Sequence, residues 1–261
     1  MIKLKFLINK FFKKAYLFFS LLNFLRRYPY VSMYGAPSFL RYISSRFKSL
    51  PSGIYSQSGQ DALILTEFFE RISGPGFPKI FVDVGCNHPV KHSNSYFFER
   101  FMNFQVLAID ALPNHQGSWA SIRPAAEFLV AAVGKTRAII EFDEIEDSGG
   151  SGDMFSSVKG SSMKSPNLER KTRSIEIVPL SEILSEKDLN SVGIMSIDIE
   201  GHEAEALQGI NLDEVNVKIF IIENNTKSVL GDETIRQHLR QRGYKFVARI
   251  WDMDDIFLFE D

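Results

Sequence analysis

The sequence predicts an α/β protein built on an open, mostly parallel sheet with helices on both faces. Two observations carry this. Short apolar runs alternate with segments of helical spacing, and several of the runs stop at glycine or at an acid. A third excludes an alternative: no period of 20–50 residues repeats, so a solenoid or propeller is not expected. At 261 residues, 44% hydrophobic and 24% charged, the chain can bury a full core and is too polar for a multi-pass membrane protein. A single cysteine excludes an internal disulfide framework and a thiolate-based zinc site, which suits a reducing, cytoplasmic setting.

Residues 1–53 read as a basic amphipathic arm with a linker, and residues 54–261 as the folded domain. In the arm, Leu4, Leu7, Phe11, Phe18, Leu22 and Leu25 share one helical face, with Lys3, Lys10, Lys13, Lys14 and Arg27 around it. Such a helix lies in a membrane interface; packing on its own domain or on a second copy is the plain alternative. Lysines interrupt it, and the uncharged run 15–25 is too short to span a bilayer. The RRYPY that follows lacks the small-residue pattern of a signal-peptide cleavage site. Pro29, Gly35, Pro37 and Pro51 then leave room for one short helix near 39–47. Residues 1–60 hold ten Lys and Arg and no acid, so the remainder carries a net charge of −12. An acidic domain is a poor partner for nucleic-acid phosphates, and none is expected.

The domain opens with helical spacing over 61–72, and SGPGFP then forces a loop. The apolar run 79–84 stops at Gly85, as a buried parallel strand would. Helix 93–101, strand 105–109, a short helix at 115–123 and a third strand at 127–133 follow, with 138–142 as a hairpin arm. The stretch 147–167 is Gly/Ser-rich and reads as a loop, either a lid over an acceptor or an insertion. Strands at 174–178, 193–198, 217–223, 245–250 and 256–259 alternate with helices at 181–189, 203–207 and 233–242. Phe97, Phe98, Phe101 and Phe104 are core candidates. Trp119 and Trp251 are core residues or sugar-stacking platforms, and the basic residues at 170–173 a solvated edge.

In open α/β sheets, ligands sit outside the carboxyl ends of the strands. The residues there are Asp83, Asp110, Asp198 and Glu223. In FVDVGCNHP (81–89), an acid late in a strand precedes a glycine that permits close backbone approach by a ligand. No further glycines follow, so this is not the dinucleotide fingerprint, and the bland reading is an acid capping a turn. Asp110 occupies the place where α/β nucleotide folds hold a ribose diol. GIMSIDIEGHE (193–203) crowds Asp198, Glu200, His202 and Glu203 together. That is costly unless a cation, a metal or a shared proton relieves it, although Glu203 can simply serve the helix dipole.

SQSGQD (56–61), FVDVGCNHP, SNS (93–95), AIDALPN (108–114), SIDIEGHE (196–203) and IIEN (221–224) together resemble the FkbM family of S-adenosylmethionine-dependent methyltransferases. The blocks keep the family's order, and the resemblance spans about residues 54–250. It implies a Rossmann-like methyltransferase fold with an antiparallel last strand, and S-adenosylmethionine as cofactor. It also implies O-methylation of a hydroxyl on a sugar, glycan, glycolipid or polyketide-type acceptor. By the same resemblance, Asp83, Gly85, Asn87 and Asp110 bind the cofactor, and Ser56, Gln57, Gln60 and Asp61 cover its pocket. Cys86 replaces the usual alanine, and Ser95 the usual threonine.

For the chemistry, Asp198 and His202 are the base candidates, with Glu200 and Glu223 as hydroxyl ligands and no metal; His88 and His92 are weaker candidates. Two other readings stand beside this one. A metal-assisted enzyme would use Asp198, Glu200 and Glu223, since magnesium takes oxygen ligands. A membrane-docked binding module would keep the fold without activity. The expected location is the cytoplasm, at the inner face of a membrane where the arm docks.

Overall fold

The computed structural model describes residues 55–145, 156–159, 170–224, 232–250 and 253–260. The basic arm, the helix expected near 39–47, most of 147–167 and Trp251 lie outside the described residues. In chain order the elements are α1 (Gln60–Ser73), β1 (Ile80–Val84), α2 (Tyr96–Met102), β2 (Gln105–Asp110), α3 (Gln116–Ile122), β3 (Glu127–Val130), β4 (Ala132–Gly134), β5 (Ala138–Ile145) and β6 (Ser157–Val158). There follow β7 (Arg170–Pro179), α4 (Leu180–Glu186), β8 (Ser191–Ile197), α5 (Glu203–Gln208), β9 (Asn216–Glu223), α6 (Glu233–Arg240), β10 (Tyr244–Ile250) and β11 (Asp254–Phe259).

Seven strands form the main sheet in the order β10-β11-β9-β8-β1-β2-β3. The five from β3 to β9 are parallel, and β11 runs antiparallel between β9 and β10. The order reverses beside β1, which creates the crevice where such sheets take ligands. Side chains alternate across the sheet. Val82, Val84, Ile109, Met195, Ile197, Phe220 and Ile222 pack with Leu184, Leu207 and Leu239 of α4, α5 and α6. Phe81, Ala108, Ile194, Ile221 and Ile256 pack on the opposite side with Ile64, Phe98 and Trp119 of α1, α2 and α3. Both faces are thus covered, which is why the strands read as nearly continuous apolar runs.

A second sheet, in the order β4-β7-β5-β6, is inserted between β3 and β8. It corrects two expectations. The run 127–133 is two strands: the Ala131 N–H makes the last bond to the main sheet, at the Asp110 carbonyl (2.8 Å), and the chain leaves the sheet there. Beyond that point β4 pairs with β7. The Gly/Ser-rich stretch contributes β6, which pairs with β5. The basic residues at 170–173 are one end of β7, with Arg170 and Arg173 facing Asp143 and Glu144 of β5. Helix α2 also begins at Tyr96, three residues later than the spacing suggested.

Candidate active site

The alternation that sorts the two cores also sorts the acids. Continuing each strand by two residues, Phe81 leads to Asp83, Ala108 to Asp110 and Ile221 to Glu223. On the antiparallel β11, Ile256 leads back to Asp254, whose partner in register is Glu223. Ser196 pairs with both Asp83 and Ile221, so Asp198, two residues on, falls beside Glu223. Five carboxyls therefore occupy one end and one face of the sheet, the face covered by α1, α2 and α3.

Like charges on neighbouring strands repel, and here burial adds to the cost. Asp83, Asp198, Glu223 and Asp254 are all raised in consequence and hold protons more readily than ordinary carboxyls. Burial first, then the neighbouring acids, hold Glu223 well above the usual carboxylate range. Asp254 is raised for the same reasons, burial and then Asp198. Asp198 is pushed up to about 6 by burial and by Asp83, against the hydrogen bond from Glu223 that favours its ionised form. Glu200 is pushed up to about 8 by burial, then by Asp198 and Glu203. Near neutral pH, Glu223 is the protonated donor and Asp198 the carboxylate acceptor.

Each residue of the loop after β8 has a defined task. The Asp198 N–H donates to the Val84 carbonyl (3.0 Å), tying the ends of β8 and β1 together. Glu200 and Gly201 both adopt positive φ, 58° and 98°, so the loop curls back on itself. The Ile199 and Gly201 N–H groups then donate to Glu203 Oε1 at 3.0 and 2.9 Å. Glu203 thus braces the loop that carries Asp198 and Glu200. His202 points elsewhere: its Nδ1 lies 3.7 Å from Glu205, and its buried Nε2 has no hydrogen-bond partner among the described residues. Burial lowers its pKa below the ordinary histidine value.

The turn after β1 is clasped from several sides. Gly85 has φ 79°, and a Cβ there would lie 1.7 Å from the Asp198 carbonyl oxygen, so only glycine fits. Both oxygens of Asp110 accept N–H bonds, from Asn87 and from Leu112, each at 2.9 Å. Trp119 is buried and donates its indole N–H to the Asn87 carbonyl (2.7 Å), which makes it a core clamp and not a sugar platform. Beside this turn lies a cavity with about 350 Å³ of empty space, part of it open to solvent. Gly85, Asp110, Ala131, Val133, Ile199 and His202 line it, and the second sheet contributes Phe142, Val158 and Ile177.

The structure therefore divides the candidate residues. Asp83, Asp198, Glu200 and Glu223 gather in the acid row, whereas His202 shares the cavity with Gly85 and Asp110. Gln60 reaches the row, donating from Nε2 to Asp254 Oδ2 (2.9 Å). Asp61 does not: its buried carboxylate accepts from the Tyr55 and Ser56 N–H groups and from the Ser56 hydroxyl, closing the turn ahead of α1. Gln57 is exposed. His88 caps its own loop, accepting the Val90 and Lys91 N–H groups on Nδ1. Three site residues went unread in the sequence: Asn94, Arg123 and Asp254. Asn94 stood inside a recognised block and Asp254 opened an apolar run, but Arg123 left no local signal. Among the described residues, no group of three or more His, Cys, Asp or Glu is arranged to hold a metal ion.

The described residues also contain no helix long and apolar enough to cross a membrane. No curated protein matches the chain. Among solved structures, it is similar to a Plasmodium falciparum protein described as a ribosomal RNA methyltransferase. The identity is 14%, covering 79% of this chain and 97% of that one, with a TM-score of 0.40. A profile of the methyltransferase FkbM domain matches residues 83–246, from the Asp83 turn through Asp110, Asp198 and Glu223 into β10. With well over half of its length matched, the chain belongs to the FkbM family of methyltransferases.

Proposed function

We propose that this chain is an S-adenosylmethionine-dependent O-methyltransferase of Rossmann-like fold, acting on a hydroxyl of a sugar, glycan or glycolipid. The observation that carries the reading is the meeting, at Gly85, of a cavity bounded by Asp110 with a proton-sharing acid row. Its residues fit the cofactor. The Gly85 turn excludes a side chain, and buried oxygens of Asp83 and Glu200 have no hydrogen-bond partner among the described residues, as suits a cationic guest. Bound S-adenosylmethionine would supply an electrophilic methyl group on a positively charged sulfur.

The protein's own part follows from its chemistry. A carboxylate has about four lone-pair sites, so Asp110 can accept ribose hydroxyls in addition to its two turn amides. Asp83 offers its unpaired oxygen to the ammonium end of the cofactor, and His202 borders the cavity as a neutral imidazole. Asp198, ionised and steadied by the Glu223 proton, accepts the proton of an attacking hydroxyl, while Glu200 orients the acceptor. A positioned base of this kind contributes about 10²–10⁴-fold. The fold supplies the alignment that in-line displacement requires. Residues 1–27 dock on an anionic membrane surface and bring the domain, residues 54–261, to a lipid-linked acceptor.

The test is transfer of labelled methyl from S-adenosylmethionine to a panel of free sugars, glycans and glycolipids. The account expects an O-methyl product by mass spectrometry, unaffected by EDTA. Label found on nitrogen, or transfer abolished by EDTA, would displace it.

A further inference from the structure

Arg123 is 3% exposed, an unusual place for a guanidinium, and it sits at the C-terminus of α3. Its charge is paired with Glu99, and its plane lies 4.2 Å from the centre of the Trp119 ring. One terminal nitrogen donates to the Pro89 carbonyl (3.0 Å) and to the Ser93 hydroxyl (3.2 Å), and both donate to Ser95 Oγ at 3.1 Å. A guanidinium has only donors, so Ser95 must accept from it. With Ser93 Oγ, 3.4 Å away, able to turn its own proton to Ser95, the Ser95 proton is free for Asp83, to which Ser95 hydrogen-bonds through both side chain and backbone.

The second oxygen of Asp83 is different. The residue is 3% exposed, and Oδ2 has no partner among the described residues. Asn94 shows the same pattern at 7% exposure. Its Nδ2 donates to Ser196 Oγ (2.9 Å), the residue in register with Asp83, and its Oδ1 is unpartnered. Two buried acceptors, related through Ser196 in the β1–β8 register, are costly to leave unmade. A ligand ammonium group, which has three donors and no acceptor, answers both.

We infer that Arg123 and Ser95 are positioning residues for Asp83, fixing one carboxylate oxygen so that the other, with the Asn94 amide oxygen, receives the ammonium of the cofactor's amino-acid half. This rests on the reading that the site takes S-adenosylmethionine. The residues concerned act on one end of the ligand only, which separates them from a merely structural role.

The experiment compares two probes on the full-length chain by calorimetric titration. S-adenosylhomocysteine carries the amino-acid half, and methylthioadenosine lacks it. Ser95→Ala should weaken S-adenosylhomocysteine about tenfold or more, as expected for a lost hydrogen bond to a charged group. Methylthioadenosine should bind within about twofold of wild type, and Ser95→Thr, which restores the hydroxyl, should restore the affinity. Arg123→Lys should show the same selective loss in a folded protein. If Ser95→Ala weakens both probes equally, or neither, the inference is wrong. If the wild-type chain binds neither probe, the cofactor reading fails first and takes the inference with it.

Discussion

The carboxyl groups of Asp198 and Glu223 hydrogen-bond to each other at the ends of neighbouring parallel strands. Two carboxyls can do this only when one keeps its proton. Glu223, which burial and four neighbouring acids raise further, keeps it, so Asp198 is ionised near neutrality and accompanied by a donor. The same crowding gives the site its charge. Arg123 acts on Asp83 and Arg249 on Asp254, whereas Asp198, Glu200 and Glu223 face other acids and are set to receive a cation.

The first prediction concerns pH and stability. Glu200, Glu203 and Asp198 have folded-state pKa values of about 8, 7 and 6, all above ordinary carboxylate values. Between about pH 4 and 8 the folded chain therefore holds more protons than the unfolded one, so stability falls as pH rises through that window. Thermal unfolding of the ligand-free protein should show a lower midpoint at pH 8 than at pH 5.5. Glu200→Gln should flatten the decline, each kcal/mol regained raising the midpoint by roughly 2–4 °C. A midpoint that climbs from pH 5.5 to pH 8 would mean the acids are not buried as described.

The second separates the acid row from the cavity. Asp198→Asn should leave cofactor affinity within a few-fold and lower turnover on a competent acceptor by about 10²-fold or more, as removal of a base does. His202→Ala should do the reverse, weakening S-adenosylhomocysteine with a smaller effect on turnover, because its ring borders the cavity. Turnover and binding constants measured on both variants decide it; a turnover-only effect from His202→Ala would return the histidine to the chemistry.

The sheet was largely legible because buried parallel strands are continuous apolar runs, and Gly85, Asp110 and Asp198 mark where they stop. The acids at 83, 110, 198 and 223 were legible for the same reason, whereas Asp254, at the start of the antiparallel β11, was not. What lay hidden depended on contacts between distant segments. Nothing local distinguishes Glu203, a brace for backbone amides, from Glu200, since the difference rests on positive φ at Glu200 and Gly201. Nor does the run 127–133 betray that it bonds to β2 as far as Ala131 and to β7 from Ala132, which divides it between two sheets. Arg123 reads as a surface cation at the end of a short helix. Only the fold reveals that it closes on Ser95 and Glu99.

The third prediction concerns the arm. Deleting residues 1–27 should leave the thermal unfolding of the domain unchanged and release it from anionic vesicles. Each Lys or Arg near such a surface contributes about 1 kcal/mol, screened as salt rises. Vesicle sedimentation of the two chains at low and high salt measures this. A full-length chain that stays in the supernatant at low salt would make the arm a packing element.

The most direct test of the central claim is calorimetric titration of the full-length chain with S-adenosylmethionine and S-adenosylhomocysteine, beside Asp110→Ala. The account predicts saturable binding of both in the micromolar range, lost in the variant while its unfolding transition remains cooperative. Absence of binding to the wild-type chain, or binding that survives the loss of Asp110, would contradict it.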